Sequence, residues 1–332
     1  MKALVAFLAF TATVNAEPLK SFRDCDLCPE MIELPLGEFM MGTPKDAKNT
    51  LDSPYAADLR GNEGPARKVV VDLKIAMSAN EITLKEFMVC VQDGGCPNAP
   101  ETMVAGVGMG EPRVRALTDP RFVHTPFEEI IAGSEQAPGW MDMGGRAAVE
   151  GGEHTPVLQV NYLDARDYTI WLNKKLGTNV YRLPTEAKWE YAARAGSATP
   201  FAQGNEPTGD QLNVNGDYTE TLLGTSLPHL RTLGYPMPVN EMDAANAWGL
   251  RHMSGNATEL TMSCYGIDPE QLSPWTTTSE WLSKDQDRRC PRVFRGGSFA
   301  RSMHDARVTT RGVLPEDWTF PDTGFRIIKE LE

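Results

Sequence analysis

Positive charge is in deficit along this chain: 32 Lys and Arg stand against 45 Asp and Glu, a formal net charge of −13. A nucleic-acid backbone is therefore not an expected partner, because like charges repel. Long apolar runs are scarce as well. One runs from Ala3 to about Val14, too short to span a bilayer comfortably, and no later stretch is long enough, so no membrane span is expected. Histidine is sparse, and the five present (His124, His154, His229, His252 and His304) show no HxH or HxxxH spacing. That argues against a histidine metal centre. No internal repeat is visible either.

What remains is ordinary globular composition, 41% hydrophobic and 23% charged, with 29 Gly and 24 Pro that imply many turns rather than a helical bundle. The opening "MKALVAFLAFTATVNAEP" has one Lys, an apolar run and Val14-Asn15-Ala16, the pattern of a secretory signal peptide over residues 1–16. Export to a periplasmic or secreted location puts the six cysteines where pairing is favoured. Six cysteines allow 15 connectivities, and closeness in sequence favours Cys25–Cys28 and Cys90–Cys96. Cys264–Cys290 would then close a loop of about 25 residues, worth ~3 kcal/mol by loop entropy. Cys25-Asp-Leu-Cys28, in a leader over residues 17–29, reads as a structural pair or as a redox CxxC.

Local signals then divide the chain. "EMIELPLGEFMMGTP" reads as a β-hairpin about Pro35-Leu36-Gly37, and "KVVVDLKIAM" (68–77) as one strand. Thr83 with Glu86 forms a capping-box signal ahead of Leu84, Phe87, Met88 and Val91, a helical face stopped by Gly94-Gly95. A second helix has Asn161 as N-cap, Asp164 in its first turn, an Ala165/Tyr168/Trp171/Leu172 core stripe and Lys174-Lys175 before Gly177. A third starts after Thr185 and runs through "EAKWEYAARAG". Short strands are expected near 246–262, 292–299 and 323–329. The class is α+β, with helices segregated from an antiparallel sheet. Residues 97–155 form a long Met-, Gly- and Pro-rich insertion with one short helix at "PFEEIIAG".

These segments stand in the order of a known family. "CPEMIELPLGEFMMG", "NEITLKEFMVCVQDGGC", "PVLQVNYLDARDYTIWLNKKLG", "YRLPTEAKWEYAARAG", "NAWGLRHMSGNATEL", "RVFRGGSF" and "DTGFRI" resemble the formylglycine-generating enzymes, or sulfatase-modifying factors, over most of residues 28–329. The resemblance implies one domain over residues 30–332 with a variant of the C-type-lectin fold, low in regular structure and often holding structural calcium. The Cys25-x-x-Cys28 leader and the Cys264/Cys290 couple also resemble secreted bacterial members. Active members of the family carry two cysteines, with four residues between them, soon after the Gly-Gly-Ser turn; they bind copper and oxidise a substrate cysteine to formylglycine. Counted from Gly296-Gly297-Ser298, those places fall at Arg301 and Ala306. Neither supplies the soft thiolate that Cu(I) needs, so copper is not an expected cofactor.

For calcium the resemblance points to Gly255, Ala257 and Glu259, with His252 where the family has Asn or Asp, and to Asn213-Val214 with Asp217. Carbonyl and carboxylate oxygens suit that ion, while a turn held by hydrogen bonds is the alternative. Asn256-Ala257-Thr258 is a formal glycosylation sequon in a turn expected to be packed, so it reads as chance. Trp171, Trp189, Tyr191 and Trp248 read as core. In the groove, Ser298, Arg301 and Arg307 with Asp322 and Arg326 line the expected substrate site. His304 or Asp305 is the candidate general base of a rebuilt oxidoreductase, by analogy with members acting in periplasmic maturation of siderophore-type peptides. The other reading is a binding module. Arg295, Arg301, Arg307 and Arg311 would hold a protein, a peptide or a small anionic ligand unless paired with Asp305, Asp322 or Glu316. Met103, Met109, Trp140, Met141 and Met143 of the insertion would offer a partner surface.

Overall fold

A computed structural model describes residues 18–44, 62–96, 154–217, 230–265, 289–320 and 322–332. The expected signal peptide (1–16), the "PFEEIIAG" helix and nearly all of the 97–155 insertion lie outside the described residues. In chain order the strands are β1 (Ser21–Phe22), β2 (Met31–Glu33), β3 (Gly37–Met41), β4 (Arg67–Val71), β5 (Ile75–Ser78) and β6 (Tyr181–Arg182). β7 (Thr258–Cys264), β8 (Arg292–Arg295), β9 (Gly312–Leu314), β10 (Thr323–Phe325) and β11 (Ile328–Glu330) follow. The helices are α1 (Leu84–Gln92), α2 (Tyr162–Leu176) and α3 (Glu186–Arg194).

All three helices begin where their caps say. Thr83 accepts from the backbone N–H of Glu86, whose side chain returns the bond, and Asn161 and Asp164 do the same for α2. Gly177, at φ 66°, ends α2 in the left-handed conformation that glycine adopts without strain. Thr185 caps α3. Phe87 of α1 and Tyr168 of α2 meet Phe325 of β10 edge-on at 6.3 and 5.5 Å, so the helices are fixed to the strand that carries the end of the groove.

The strands depart from the sequence expectation in three places. β2 and β3 do not pair with each other: β2 lies between β1 and β5, while β3 pairs only with β4. The 68–77 run is correspondingly two strands, β4 and β5, interrupted at Asp72–Lys74. The chain therefore crosses between sheets twice, outward at Pro35, whose carbonyl accepts from Tyr191 Oη at 2.9 Å, and back at Asp72–Lys74. The five-stranded sheet runs β1-β2-β5-β11-β6 and the four-stranded sheet β10-β7-β8-β9. β10 pairs with β7 in parallel, a departure from the all-antiparallel expectation that follows from the chain entering β10 and leaving for β11 on the other sheet. The 18–29 leader is built in: β1 extends the sheet, and Asp24 binds Lys329 Nζ at 2.8 Å and Tyr181 Oη.

Candidate functional site

β7 and β8 present the floor of the site, and β10 lies beside β7 with Thr323 opposite Thr258 and Gly324 opposite Glu259. After β8 the chain turns through Gly296 and Gly297, at φ 93° and 67°. The second glycine is required by close approach as well as by its φ. A Cβ there would stand 2.7 Å from the backbone nitrogen of Ala306. The 3-10 turn Met303–Ala306 thus lies directly over the Gly-Gly-Ser turn, which is how a chain segment after Ser298 comes back to the groove.

Of the two thiol-equivalent positions, Ala306 is fully buried and Arg301 sits at the rim. Arg301 Nε donates to Asp322 Oδ2 at 2.6 Å and Nη2 to Oδ1 at 3.3 Å, while Ser298 Oγ donates to the same Oδ2 at 2.7 Å. The guanidinium lies 4.7 Å over the ring of Phe294. Three expected groove residues, Ser298, Arg301 and Asp322, are thereby brought together. Arg307 and Arg326 are not with them. Arg307 is buried against Glu63, a carboxylate that also accepts from Thr43, Thr309 and Thr310 at 2.9, 2.7 and 3.3 Å. A cavity of about 530 Å³ borders Arg307 and Thr309 together with Phe39, Met40 and Arg194.

The cationic cluster is neutralised from within. Arg295 pairs with Glu190, Arg301 with Asp322, Arg307 with Glu63, and Arg311 binds both oxygens of Glu186 at 2.7 Å. Asp305 and Glu316, proposed as partners from sequence, serve elsewhere: Asp305 accepts from Ser302 Oγ at 3.0 Å, and Glu316 lies by Arg292 at 3.6 Å. The sequence offered no signal for Glu63, Glu186 or Glu190, because they lie 105 to 244 residues from their arginines. His304 is buried in the 3-10 turn, and its carbonyl accepts from Thr310 Oγ1 at 2.9 Å.

The calcium-type residues form a second, fully buried cluster. Arg326 spans Glu259, with Nε 2.6 Å from Oε2 and Nη2 2.7 Å from Oε1, and Trp189 Nε1 adds a third donor at 2.6 Å. Asn213 Nδ2 donates to Asn256 Oδ1 at 3.1 Å, and Asn256 Nδ2 donates to Glu81 Oε1 at 3.0 Å. The sequon asparagine is therefore wholly buried and its amide used. Burial, helped by the nearby Glu259 charge and opposed by Arg326, pushes Glu81 up to about 8. Burial with Arg251 and Arg326 pushes His252 down to about 3, partly offset by the carbonyls of Glu241 and Val239, and neither ring nitrogen makes a well-formed hydrogen bond. The residues do not fit a dication at Gly255, Ala257 and Glu259, because a guanidinium already neutralises the carboxylate and His252 brings no oxygen. At Asn213-Val214, Asp217 is exposed, and among the described residues no three His, Cys, Asp or Glu side chains group to hold a metal.

The family model for a sulfatase-modifying factor enzyme 1-like domain matches residues 18–331. The chain belongs to the sulfatase-modifying factor family. The "Inactive C-alpha-formylglycine-generating enzyme 2" of Bos taurus is 30% identical over 316 residues, covering 89% of this chain and 86% of that protein. The formylglycine-generating enzyme of Mus musculus is 27% identical, covering 96% and 79%. Among solved structures, PvdO from Pseudomonas aeruginosa superposes with a TM-score of 0.61 at 23% identity, over 95% of this chain and all of that one. The sulfatase-modifying factor fold explains the low content of regular structure: it is the formylglycine-generating-enzyme variant of the C-type-lectin-like fold. Three disulfides, Cys25–Cys28, Cys90–Cys96 and Cys264–Cys290, hold it. No helix among the described residues is long and apolar enough to cross a membrane.

Proposed function

We propose that this family member is exported, does not generate formylglycine by copper–thiolate chemistry, and uses the 295–326 groove to bind a peptide or small anionic ligand. The observation that carries the reading is Arg301 at a thiol position, tied to Asp322 and Ser298 in a bidentate network. Arginine cannot ligate Cu(I), and Ala306 supplies no sulfur. Arg301 is also the most exposed of the four clustered arginines, its side chain 25% accessible against 12% or less for the others. It is the one a ligand carboxylate reaches first, exchanging with Asp322. The relative named as inactive, matched over 86% of its length, supports a non-generating role, and the disulfides and the apolar N-terminal run support export. Calcium has no part in the reading, since Arg326 supplies the positive charge at Glu259.

The test incubates the mature protein with Cu(I), oxygen and a cysteine-containing sulfatase-type peptide, followed by mass spectrometry. No formylglycine is expected, and sustained turnover would overturn the proposal. In parallel, fluorescence polarisation with labelled peptides should give binding that Arg301→Ala weakens about tenfold; unchanged affinity would remove Arg301 from the site. A rebuilt oxidoreductase acting on a protein or siderophore-type peptide is the second reading, favoured by the intact Gly296-Gly297-Ser298 frame. It places His304 or Asp305 as the base, and product formed in an oxygen-consumption assay that His304→Ala abolishes would select it.

A further inference from the structure

The three disulfides differ in how a thiol can meet them. Cys90 and Cys96 are both buried. Cys25–Cys28 pairs a half-exposed sulfur-bearing residue with a buried one, and Cys264–Cys290 does the same, with Cys290 half-exposed and Cys264 fully buried. A guanidinium stands by each of these two pairs, but Arg23 binds the Cys28 carbonyl at 2.7 Å, whereas at the last pair the contact is with the sulfur. Arg292 Nη1 lies 3.7 Å from Cys264 Sγ while also donating to the carbonyl of Met262 at 2.6 Å. The guanidinium is fully buried and lies 3.8 Å over the ring of Tyr162. Its acidic partner, Glu316, approaches at Nη2, 3.6 Å away, while Nη1 faces both the Met262 carbonyl and the sulfur. Arg289, its side chain 96% exposed and 3.8 Å from Glu316, stands next to Cys290 in the chain.

We propose that Cys264–Cys290 is a thiol–disulfide exchange site, attacked at Cys290 by an external thiolate, with Cys264 as the leaving sulfur. Exchange runs faster when the departing thiolate is stabilised, and a buried thiolate without a cation would be costly. Arg292 meets that cost at the leaving atom, and Arg289 adds positive field where the nucleophile arrives. In the first step the incoming thiolate forms a bond to Cys290 Sγ, the Cys264–Cys290 bond breaks, and its electron pair stays on Cys264 Sγ. With a dithiol reductant, the second thiol gives up its proton and attacks the mixed disulfide, expelling Cys290. The two protons lost by the dithiol end on Cys264 and Cys290. The balance is two electrons: one protein disulfide and one dithiol become two protein thiols and one cyclic disulfide. Opening removes the covalent closure between the end of β7 and the start of β8, the two strands that carry Glu259 and Arg295 of the floor.

The experiment exposes the whole mature protein to reduced glutathione at neutral pH, alkylates free thiols and maps the peptides. A glutathione adduct on Cys290 with alkylated Cys264 is expected, formed at least tenfold faster than any opening of Cys90–Cys96. An adduct on Cys264, or opening no faster than Cys90–Cys96, overturns the proposal without any variant being needed. Arg292→Gln should slow the opening several-fold, with Arg292→Lys restoring much of the rate. An unchanged rate in a folded Arg292→Gln protein also overturns it.

Discussion

Two bidentate arginine–carboxylate pairs flank the β7–β10 strand pair and have opposite characters. Arg301–Asp322 closes the rim of the groove, with the guanidinium partly in water; Arg326–Glu259 is buried to the last atom. The rim pair can be broken at modest cost, because water and Ser298 take up part of the loss. The buried pair has no such relief. Removing one partner there strands a charge in the core, which costs far more than the pair's net worth. One sequence motif, the Gly-Phe-Arg end of the chain, therefore builds scaffold, while the position that once would have held a thiol keeps an adjustable contact.

The sharpest way to break that contrast is Arg326→Met. It should destabilise the fold by about 3–5 kcal/mol, read by urea denaturation with the midpoint and slope followed together. A loss below about 1 kcal/mol would mean that Glu259 is relieved by protonation or by water, and the two pairs would then differ little. Next comes pH. Glu81 holds a proton in the folded state up to about 8, against an ordinary carboxyl value of 4.5, so its contribution is complete below 4.5 and is lost as pH rises towards 8. His252 is held neutral down to about 3, so its contribution is present above 6.5 and is lost as pH falls towards 3. Thermal melting from pH 4 to 9 should therefore decline at both ends, and Glu81→Gln should flatten the alkaline limb alone. An alkaline slope identical in the Glu81→Gln variant would remove Glu81 from the account.

A smaller effect is expected at the rim. Arg301→Ala should cost about 1–2 kcal/mol, since Ser298 still serves Asp322. A loss as large as that of Arg326→Met would show the rim pair to be structural and not open to exchange. The smallest effect should follow chelation: excess EDTA is expected to leave the melting temperature within about 1 °C, because ligand-linked stabilisation needs a bound ion. A larger fall, reversed by calcium, would restore a metal to the buried cluster and place both pairs beside it.

Much of this was legible in the sequence because it is local. Thr83 with Glu86, Asn161 with Asp164, and Thr185 each state a helix start through bonds spanning three residues. The missing thiols needed only counting from Gly296-Gly297-Ser298. The 68–77 run misled, since β4 and β5 carry similar β-branched and apolar residues and only their partners, β3 for one and β2 and β11 for the other, separate them. Similarly, Pro35-Leu36-Gly37 resembles a hairpin turn but links two sheets.

By itself, then, the sequence determined the helices, the family frame and the absence of cysteine at positions 301 and 306, all set by short-range bonding or by residue type. Tertiary structure decided which acid meets which arginine. A guanidinium carries no information about its partner until folding buries it. Once buried, it must be matched by whichever carboxylate the chain brings within reach: Glu63 for Arg307, Glu190 for Arg295 and Glu259 for Arg326.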